Sequence, residues 1–370
     1  MRTPTRIIFT VTNDLSYDQR MIRICSSLVE AGYRVILVGR QRAQSVPLLD
    51  RPFQQKRLRC YFEQGKLFYA EYNLRLFFYL LFASCDIIAS IDLDTLLPGF
   101  LCGKIRGKAV VYDAHEYFTE VPEVVRRPKV KRVWEGLANG LIPRIQFCYT
   151  VGEGLAGIFE ERYGRPFEVI RNVPWAQGEG WEIERVEPPV ILYQGVLNEG
   201  RGLEAMLQAM PLISNAQLWL AGEGDLSEAL RRQSEELGLG ARVRFWGYLQ
   251  PEELHRLTPQ ASIGINLLEN RGLNYYYSLA NKTFDYIQAG LPALHMNFPE
   301  YAAINRQYEV ALLMDNLNPQ QLAKAINRLL EQPELYAQLQ ANCRLAAREL
   351  TWEKEQARLI AFYQRIKDGF

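Results

Sequence analysis

Cysteine and histidine are scarce in this chain, which has six cysteines and three histidines in 370 residues. The cysteines lie far apart without a CxxC pair, and no histidine stands at metal-ligand spacing. We therefore expect a reduced, cytoplasmic compartment. Net charge is nearly absent too, at +1. This argues against an obligate nucleic-acid binder, because such proteins carry a strongly basic face.

Long apolar runs are also missing. The most apolar run, Leu76–Cys85, is well short of the ~20 residues that a bilayer-spanning helix requires. The opening MRTPTRIIFTVT lacks the apolar stretch and cleavage site of a signal peptide, so secretion is not expected. No low-complexity segment and no repeat stands out. With 48% hydrophobic and 23% charged residues, the composition is globular, and the length predicts two domains.

Apolar runs rich in β-branched residues alternate with helical segments, which predicts βαβ units and parallel sheets. A capping box, Ser16-x-x-Gln19, predicts the start of the first helix. In the first half the predicted strands are Ile7–Thr12, Val35–Gly39, Asp86–Ile91, Ala109–Asp113, Phe147–Val151 and Phe167–Ile170. In the second half they are Val190–Gln194, Gln217–Gly222, Val243–Phe245, Ile263–Asn266, Pro292–His295 and Val310–Leu313.

A stretch rich in Gly, Glu and Pro separates the two halves. We therefore predict an N-terminal Rossmann-like domain over 1–172, a linker over 173–189 and a second such domain over 190–350. A helix over 351–370 is expected to cross back to the N-terminal domain. Ligands bind at the carboxyl ends of the strands in open α/β sheets, so two facing doubly wound domains are expected to form one cleft.

The strongest motif lies in the second half, where QGVLNEGRG leaves a strand, turns and opens a helix at Leu203. Backbone N–H groups around Gly195 and Gly200, with the helix dipole and Arg201, predict an anion site. The alternative is a tight turn with a solvated arginine. The later GEG at Gly222–Gly224 is too short for a dinucleotide fingerprint and is assigned to turn geometry.

Two further segments follow strands at the same predicted edge. The loop with Tyr248 and Leu249 is a candidate seat for a flat base. Ser278 is a natural N-cap, so the amides of Leu279, Ala280 and Asn281 are expected to face the cleft, with Lys282 in the first turn. Phosphate contacts are predicted for these groups, and sugar hydroxyl contacts for Asp285. Without a ligand, Asp285 would interact with the helix dipole.

In the first half, His115 and Glu116 follow a predicted strand. A histidine at such a place is a candidate for the reaction centre, although a lone histidine is also often a packed side chain. Asn13 and Asp14, in the loop after the first strand, are further candidate sugar or acceptor contacts. Asp92-Leu93-Asp94 matches a DxD pattern that holds a metal in other enzymes, but it closes a strand here, and no metal is predicted.

Taken in order, these segments resemble the retaining nucleotide-sugar glycosyltransferases of family four, which have the GT-B fold of two facing Rossmann-like domains. The resemblance rests on QGVLNEGRGLEAM, LAGEGDL, VRFWGYLQPEEL, ASIGINLLE, SLANKTFDYIQAGLPAL and LTWEKEQARLIAFY. It extends to the first half through TNDLSYDQRMIRICSSLVEAGYRVILVGR, DLDTLLP, VVYDAHEYFTEVPEV and VIRNVP. It spans nearly the whole chain and implies transfer from a nucleoside diphosphate sugar without a metal or other cofactor.

The resemblance also implies residue roles, and two family positions differ here. The family's two diphosphate cations fall on Val196 and Arg201, so Arg201 is expected to act alone or with Lys282. The family's two glutamates fall on Tyr277 and Asp285. Asp285 is then expected to bind the ribose, whereas the sugar contact at Tyr277 is lost unless Glu269 replaces it.

The resemblance places His115 facing the donor sugar. His115, Arg201 and Lys282 are therefore the predicted catalytic residues. Glu116 and Glu120 are candidate acceptor contacts. The predicted product is a bacterial surface polysaccharide or glycoconjugate, made from a UDP- or GDP-sugar with retention at the anomeric carbon.

Two other functions fit the same pattern. The Val196 and Tyr277 departures suit a catalytically silent GT-B protein that binds a nucleotide sugar or a partner enzyme. A nucleotide-sugar epimerase is the third possibility.

The first half carries a basic excess. Residues 1–185 have a net charge of +5, against −4 for the remainder. The aromatic helix Leu67–Phe82 and the basic run Arg126–Arg132 lie in this half. An apolar stripe is often core and a charge run often a solvated face, but both also suit docking on the inner face of an anionic membrane, near a lipid-linked acceptor.

Overall fold

The computed structural model describes residues 4–16, 18–176 and 186–369. It divides into two compact units. The first comprises Met1–Asn172 and Glu353–Phe370, and the second comprises Val173–Trp352. The predicted linker, 173–189, thus falls in the second unit, and its residues 177–185 lie outside the described residues. No described helix combines the length and the apolar character needed to cross a membrane.

The first unit is built on a parallel sheet with the strand order β3-β2-β1-β4-β5-β6-β7 among the described residues. Its central strands are buried on both faces, as expected of a parallel sheet covered by helices. The strands are β1 (Arg6–Thr10), β2 (Arg34–Gln41), β3 (Gln54–Arg59), β4 (Ile87–Ile91), β5 (Ala109–Ala114), β6 (Phe147–Thr150) and β7 (Glu168–Val169).

One of these strands was absent from the sequence prediction. The edge strand β3 has the sequence QQKRLR, in which neither the apolar alternation nor the β-branched residues of a strand appear. It forms because its backbone pairs in parallel with β2, from Gln54 opposite Ile36 to Arg59 opposite Gln41. An edge strand exposes one side to water, so charged side chains are tolerated there.

Helices connect these strands and cover both faces of the sheet. They are α1 (Gln19–Glu30), α2 (Gly65–Phe82), α3 (Leu96–Arg106), α4 (Pro122–Val125), α5 (Pro128–Leu141) and α6 (Glu153–Tyr163). Crossovers between parallel strands are right-handed. Across the sheet, the chain moves in one direction from β1 to β2 and in the opposite direction from β3 through β4 and β5 to β6. Right-handed crossovers therefore place α1 on one face of the sheet and α2, α3 and α5 on the other.

The capping box predicted at Ser16 is wrong. The N-cap of α1 is Asp18, whose carboxylate accepts a hydrogen bond from the Met21 N–H at 3.0 Å. The Ser16 hydroxyl instead accepts from Arg57 at 2.6 Å. Asp18, two residues closer to the helix than Ser16, is the N-cap because it combines a side-chain acceptor with a negative charge at the helix N-terminus.

The second unit has a parallel sheet with the strand order β10-β9-β8-β11-β12-β13 in the described part of the chain. Its strands are β8 (Val190–Gln194), β9 (Gln217–Ala221), β10 (Val243–Gly247), β11 (Ile263–Asn266), β12 (Ala293–Met296) and β13 (Ala311–Met314). Its helices are α7 (Leu203–Ala209), α8 (Ser227–Glu236), α9 (Pro251–Leu257), α10 (Leu273–Tyr276), α11 (Asn281–Gln288), α12 (Pro299–Tyr308), α13 (Pro319–Glu331) and α14 (Pro333–Glu349).

The last helix, α15 (Trp352–Gly369), returns to the first unit after Trp352. Phe362 and Tyr363 on this helix are almost fully buried. The Phe362 ring packs edge-on against Tyr149 of β6 at 5.1 Å, and the Tyr363 ring lies 5.8 Å from Phe9 of β1. The core of the first unit is therefore completed by residues that follow the second unit in the chain.

Candidate functional site

Three loops meet at the carboxyl edge of the second sheet, after β8, β9 and β10. The Gly195 N–H donates to the Ala221 carbonyl at 2.9 Å, and Gly222 forms a bridge to Gly247. Gly222 has φ 151°, and a Cβ there would lie 1.9 Å from the Gly195 carbonyl oxygen. Only glycine fits such an approach, so the GEG segment serves turn geometry, as the sequence indicated.

The turn from Gly195 to Gly202 is fixed by backbone and side-chain hydrogen bonds. The Leu197 N–H donates to the Glu223 carbonyl at 3.2 Å, and the Tyr193 hydroxyl donates to the Val196 carbonyl at 2.8 Å. Helix α7 begins directly after the turn, at Leu203. The Val196 side chain is half exposed and so leaves an apolar surface at the position of one family cation.

The helix that carries Lys282 begins later than predicted. Its N-cap is Ala280, without a capping side chain, and the N-cap prediction for Ser278 is wrong. The Ser278 hydroxyl donates to the Tyr275 carbonyl at 2.8 Å and lies 3.2 Å from the Tyr301 hydroxyl, which also accepts from the Ala280 N–H. Leu279 therefore lies before α11, outside the helix. The N-terminus of α11 is thus at Asn281, with Lys282 as the second residue of the helix.

Lys282 reaches from α11 to the turn after β8. A Cβ on Gly195 would lie 3.2 Å from the Lys282 Nζ, and this ammonium lies 3.8 Å from the centre of the Tyr193 ring. Burial, together with the nearby charge of Arg201, holds the pKa of Lys282 well below its ordinary value, against the opposing effect of Asp285. Two cations are thus held close together at the glycine turn.

Arg201 and His295 leave buried nitrogen atoms unpaired at this edge. The guanidinium of Arg201 lies 5.0 Å from the centre of the Tyr275 ring, and its Nε has no hydrogen-bond partner within the described residues. The Nδ1 of His295 is also without a partner there, and its ring stacks on Tyr301 at 5.2 Å. Burial, and then the charge of Lys282, lower the pKa of His295 to about 3, so its ring is neutral.

Asp285 is held by a relay that the sequence did not reveal. The Gln194 amide donates to the Asp285 carboxylate at 2.8 Å, and the Thr258 hydroxyl donates to the Gln194 carbonyl at 2.7 Å. Gln194 and Thr258 are both buried. The signal was available, because Gln194 places a carboxamide at the end of the buried strand VILYQ.

Glu269 lies beside the glycine turn, where its N–H donates to the Gly200 carbonyl at 2.9 Å. Its carboxylate forms an ion pair with Arg271, which also pairs with Glu199. Arg271 is a cation at this turn that the sequence reading did not single out. Tyr277 lies nearby in the chain, edge-on to Tyr276 at 5.0 Å.

The remaining predicted contacts of this unit follow β10. The Tyr248 side chain is 62% exposed and so is accessible to a ligand, whereas Leu249 is half-buried. Among the predicted residues, Gly195, Arg201, Lys282 and Asp285 lie together, because Lys282 reaches Gly195 and both Arg201 and Asp285 are close enough to affect its pKa.

His115 lies at the carboxyl edge of the first sheet between two carboxylates. Its Nε2 is 3.0 Å from Asp113, its Nδ1 is 3.8 Å from Asp92, and its backbone N–H donates to Asp92 at 2.8 Å. Asp113 forms a fully buried ion pair with Arg20 at 2.9 Å. Burial lowers the pKa of His115, but the Asp113 and Asp92 carboxylates outweigh burial and raise it above its ordinary value.

The two aspartates of the DxD pattern have different hydrogen-bond partners, His115 for Asp92 and Thr12 for Asp94. Burial raises the pKa of Asp92 to about 8, although the charge of His115 opposes this shift. Burial also raises the pKa of Asp94 to about 6, despite a 2.6 Å hydrogen bond from the Thr12 hydroxyl. Among the described residues, no group of three or more acidic, histidine or cysteine side chains is arranged to hold a metal ion.

In the loop after β1, Asn13 and Asp14 form hydrogen bonds with other residues of the first unit. The Asn13 amide donates to Asp18 at 2.5 Å, and Asp14 accepts from Ser16 and Ser45. Asn13 and Asp14 line a cavity of about 390 Å³. Glu116 is partly exposed beside His115, and Glu120 pairs with Lys131 at 2.6 Å. These groups lie at the carboxyl edge of the first sheet.

Chemically, the edge of the second unit is suited to an anion. It presents two adjacent basic side chains, the N-terminus of α11 and a guanidinium Nε that has no hydrogen-bond partner in the described part of the chain, and a polyanion would interact favourably with each of them. A neighbouring carboxylate, Asp285, is fixed by the relay from Gln194 and is a natural acceptor for hydroxyl groups.

Comparisons with known proteins agree with this geometry. Residues 182–346 match the family model of the glycosyl transferases group 1. Over 152 residues the chain is 29% identical to the lipopolysaccharide core biosynthesis glycosyltransferase LpsD of Rhizobium meliloti, covering 41% of this chain and 42% of that protein. The chain therefore spans about two fifths to half of the length of the curated relatives that it matches first.

Solved structures match over nearly the whole chain. Sucrose-phosphate synthase from Thermosynechococcus elongatus is 18% identical, with a TM-score of 0.79 over 99% of this chain and 100% of that one. HepE from Anabaena, in complex with UDP-glucose, is 14% identical, with a TM-score of 0.70 over 98% of both chains. At identities this low, these structural matches show the fold alone.

Proposed function

We propose a reaction for a chain whose residues 182–346 belong to the glycosyl transferases group 1 and whose two parallel-sheet units form a GT-B fold. The reaction is the transfer of a sugar from a nucleoside diphosphate sugar to a hydroxyl group of a glycan or lipid-linked acceptor. We further propose that the configuration of the anomeric carbon is retained.

The observation that carries this proposal is the pair of cations at the glycine turn. Arg201 is close enough to Lys282 to disfavour the charged form of the lysine, and the Arg201 Nε lacks a partner among the described residues. A diphosphate placed there would relieve the repulsion and fill the empty hydrogen bond. Because a bound polyanion favours the charged lysine, it would also raise the pKa of Lys282.

The same groups would stabilise the transition state. As the bond between the anomeric carbon and the diphosphate breaks, negative charge grows on the leaving oxygen atoms. Cations and amides already aimed at those atoms lower the barrier without reorganising. We assign this role to Arg201, Lys282 and the first amides of α11.

We assign the remaining predicted residues to the rest of the donor. Asp285, held by Gln194, would bind the ribose hydroxyl groups, and the exposed Tyr248 would stack on the base. His115, held by Asp113 and Asp92, would orient the sugar or meet its developing positive charge through the backbone carbonyl. No metal is part of this proposal.

The donor and the product class are supported by the relatives' names. HepE was solved with UDP-glucose, and LpsD is named for lipopolysaccharide core biosynthesis. We therefore propose a UDP- or GDP-sugar as donor and a bacterial surface polysaccharide or glycoconjugate as product. We place the reaction in the cytoplasm, at the inner face of the membrane, where free thiols such as the six of this chain persist.

A donor screen followed by one variant tests the proposal. Thermal shifts with UDP-, GDP-, ADP- and dTDP-sugars identify the donor, because a ligand bound by the native state alone raises the melting temperature. Transfer of labelled sugar is then measured for the wild type, for Arg201→Ala and for Arg328→Ala, an exposed control arginine on α13. We expect loss of at least 100-fold in Arg201→Ala only. Full activity in Arg201→Ala would refute the assignment.

A second candidate function is donor binding without transfer. The half-exposed Val196 favours it, because an apolar side chain stands where the family has a cation. Calorimetric binding of a donor with neither transfer nor hydrolysis over several hours would support this candidate. Mass spectrometry of the products separates transfer from isomerisation, since an epimer has the mass of its parent.

A further inference from the structure

Helix α2 has two apolar stripes and buries only one of them. The inward stripe packs into the core of the first unit: Phe68, Tyr72, Leu76 and Leu80. The opposite stripe is at least half exposed: Leu67, Leu74, Phe78 and Phe82. Phe82 is 82% exposed. An apolar row on the outer side of a helix gains nothing in water, and in a soluble context a polar residue would be the common choice there.

The exposed stripe continues over the neighbouring helices. Helix α2 packs on α3, and α3 packs on α5. Tyr69 of α2 also meets Trp134 of α5 edge-on at 5.4 Å. These three helices cover the same face of the sheet, so their outer sides form one continuous surface. Apolar residues on α3 and α5 also contribute to it: Leu101, Ile105, Val130 and Val133, of which Ile105 and Val133 are 63% exposed.

The α5 end of this surface is strongly basic. Four exposed cations stand between the acidic residues Glu123 and Glu135: Arg126, Arg127, Lys129 and Arg132. Lys131, in the same run, pairs with Glu120. We call the outer sides of α2, α3 and α5, together with the cations at 126, 127, 129 and 132, the outer helical surface.

We propose that the outer helical surface docks on an anionic lipid bilayer. The aromatic and aliphatic side chains would enter the boundary between headgroups and acyl chains, while the cations meet lipid phosphates. The interleaving of Lys and Arg with Val on α5 matches this layered environment. A second copy of the chain fits less well, since a symmetric contact would bring like charges together around the stripe.

The inference goes beyond the proposed reaction and does not depend on it. The surface lies on the helices of the first unit, whereas the assigned diphosphate contacts belong to the second. The membrane test below uses no donor and no acceptor. Its failure would leave the proposed transfer untouched and would refute only the placement of the reaction at the membrane, and a failed donor screen would leave the docking proposal standing.

Vesicle co-sedimentation tests the proposal with the full chain. The vesicles contain phosphatidylcholine alone, or phosphatidylcholine with 30% phosphatidylglycerol. We expect binding to the anionic vesicles, weakened by 0.5 M NaCl. Each basic side chain near an anionic surface contributes about 1 kcal/mol, or about five-fold in affinity. The K129E/R132E variant should therefore bind about 25-fold more weakly or worse, and F78S/F82S at least ten-fold more weakly.

Matched variants on the second unit serve as controls. L212S/L345S removes two other exposed leucines, and R232E/K324E reverses two other exposed cations. Neither pair should change vesicle binding, and all four variants should keep the wild-type melting temperature because their side chains are exposed. Absence of wild-type binding, equal binding to both vesicle types, or equal losses in the controls would overturn the proposal. So would a concentration-dependent dimer that F78S/F82S abolishes.

Discussion

The substitution Arg20→Met removes the cation from a buried carboxylate in the first unit. Arg20 and Asp113 are 4% and 0% exposed and lie 2.9 Å apart, and Arg20 also donates to the Ile170 carbonyl at 3.2 Å. Methionine keeps much of the length and apolar character of the arginine stem. The perturbation is therefore mainly the loss of charge and hydrogen bonds.

The expected magnitude follows from the geometry. Breaking a buried ion pair from one side costs about 3–5 kcal/mol, because the remaining charge is left without a partner. At present burial raises the pKa of Asp113, but Arg20 and His115 outweigh burial and hold this pKa below its ordinary value. Without Arg20, the burial effect prevails and the pKa of Asp113 rises. The loss of unfolding free energy in Arg20→Met should then be smaller at low pH, where Asp113 can accept a proton.

Two assays check this reasoning. Urea unfolding at pH 7 and pH 5, followed through the transition of the first unit, measures this loss. NMR titration of the imidazole C–H signals measures the pKa of His115, which we expect to rise, because Arg20 now lowers it. His295, with a pKa of about 3, gives no signal change over that range.

The double variant R20M/D113N is the control for Arg20→Met. It removes the orphaned charge and should recover part of the lost stability. The reasoning fails if Arg20→Met costs less than about 1 kcal/mol at pH 7, if the double variant is no more stable than the single one, or if the pKa of His115 falls. The thermal shift that a donor produces in the second unit should be the same in all three proteins.

Three further predictions follow. Asp94→Asn should leave stability unchanged near pH 4 and raise the free energy of unfolding by up to about 3 kcal/mol at pH 8, measured by urea titration. The wild type loses this stability as the pH rises from 4 to 6, because the pKa of Asp94 is about 6 in the folded protein and 3.8 ordinarily, so ionisation of Asp94 opposes folding. The carbonyl oxygen of the asparagine in the variant can still accept the hydrogen bond from the Thr12 hydroxyl. Lys282→Met should raise the free energy of unfolding at pH 7, since burial and the charge of Arg201 depress the lysine pKa, and it should abolish the donor-induced thermal shift. A less stable variant with normal donor binding would contradict both points. Tyr286→Phe should cost about 1–2 kcal/mol in urea unfolding, because its buried hydroxyl lies within 3.2 Å of two backbone carbonyls, and donor binding should not change.

Much of the fold was predictable because buried strands are enriched in apolar residues. Every predicted strand is present within two residues of its predicted ends. Most of these strands are covered on both faces and are therefore mainly apolar. The strand Gln54–Arg59 lacks this enrichment. It is specified by the backbone of β2, a partner that the local sequence does not encode.

Helix starts were predicted less well, because several polar residues compete to cap one end. Asp18 took the place predicted for Ser16, and the hydroxyl of Tyr301 engaged Ser278 and the Ala280 N–H. The second case depends on a residue more than 20 positions away. Local sequence patterns contain no such contact.

The candidate site shows the same division. The cations Arg201 and Lys282 were recognisable from the loop and helix that carry them, and their roles remain predictions. The bonds that position the neighbouring groups, from Gln194 to Asp285 and from Arg20 to Asp113, join residues 91 and 93 positions apart. A polar residue inside an apolar strand or helix was the available sign that such a partner exists.

The return of α15 to the first unit reverses the order in which the two halves can mature during translation. The second unit has all its residues once Trp352 has been made. The first unit, although synthesised earlier, lacks Phe362 and Tyr363 until eleven more residues have been made. While the second unit is being made, the nascent first unit lacks the rings that pack on Phe9 and Tyr149, and transiently exposed apolar surface of this kind favours aggregation.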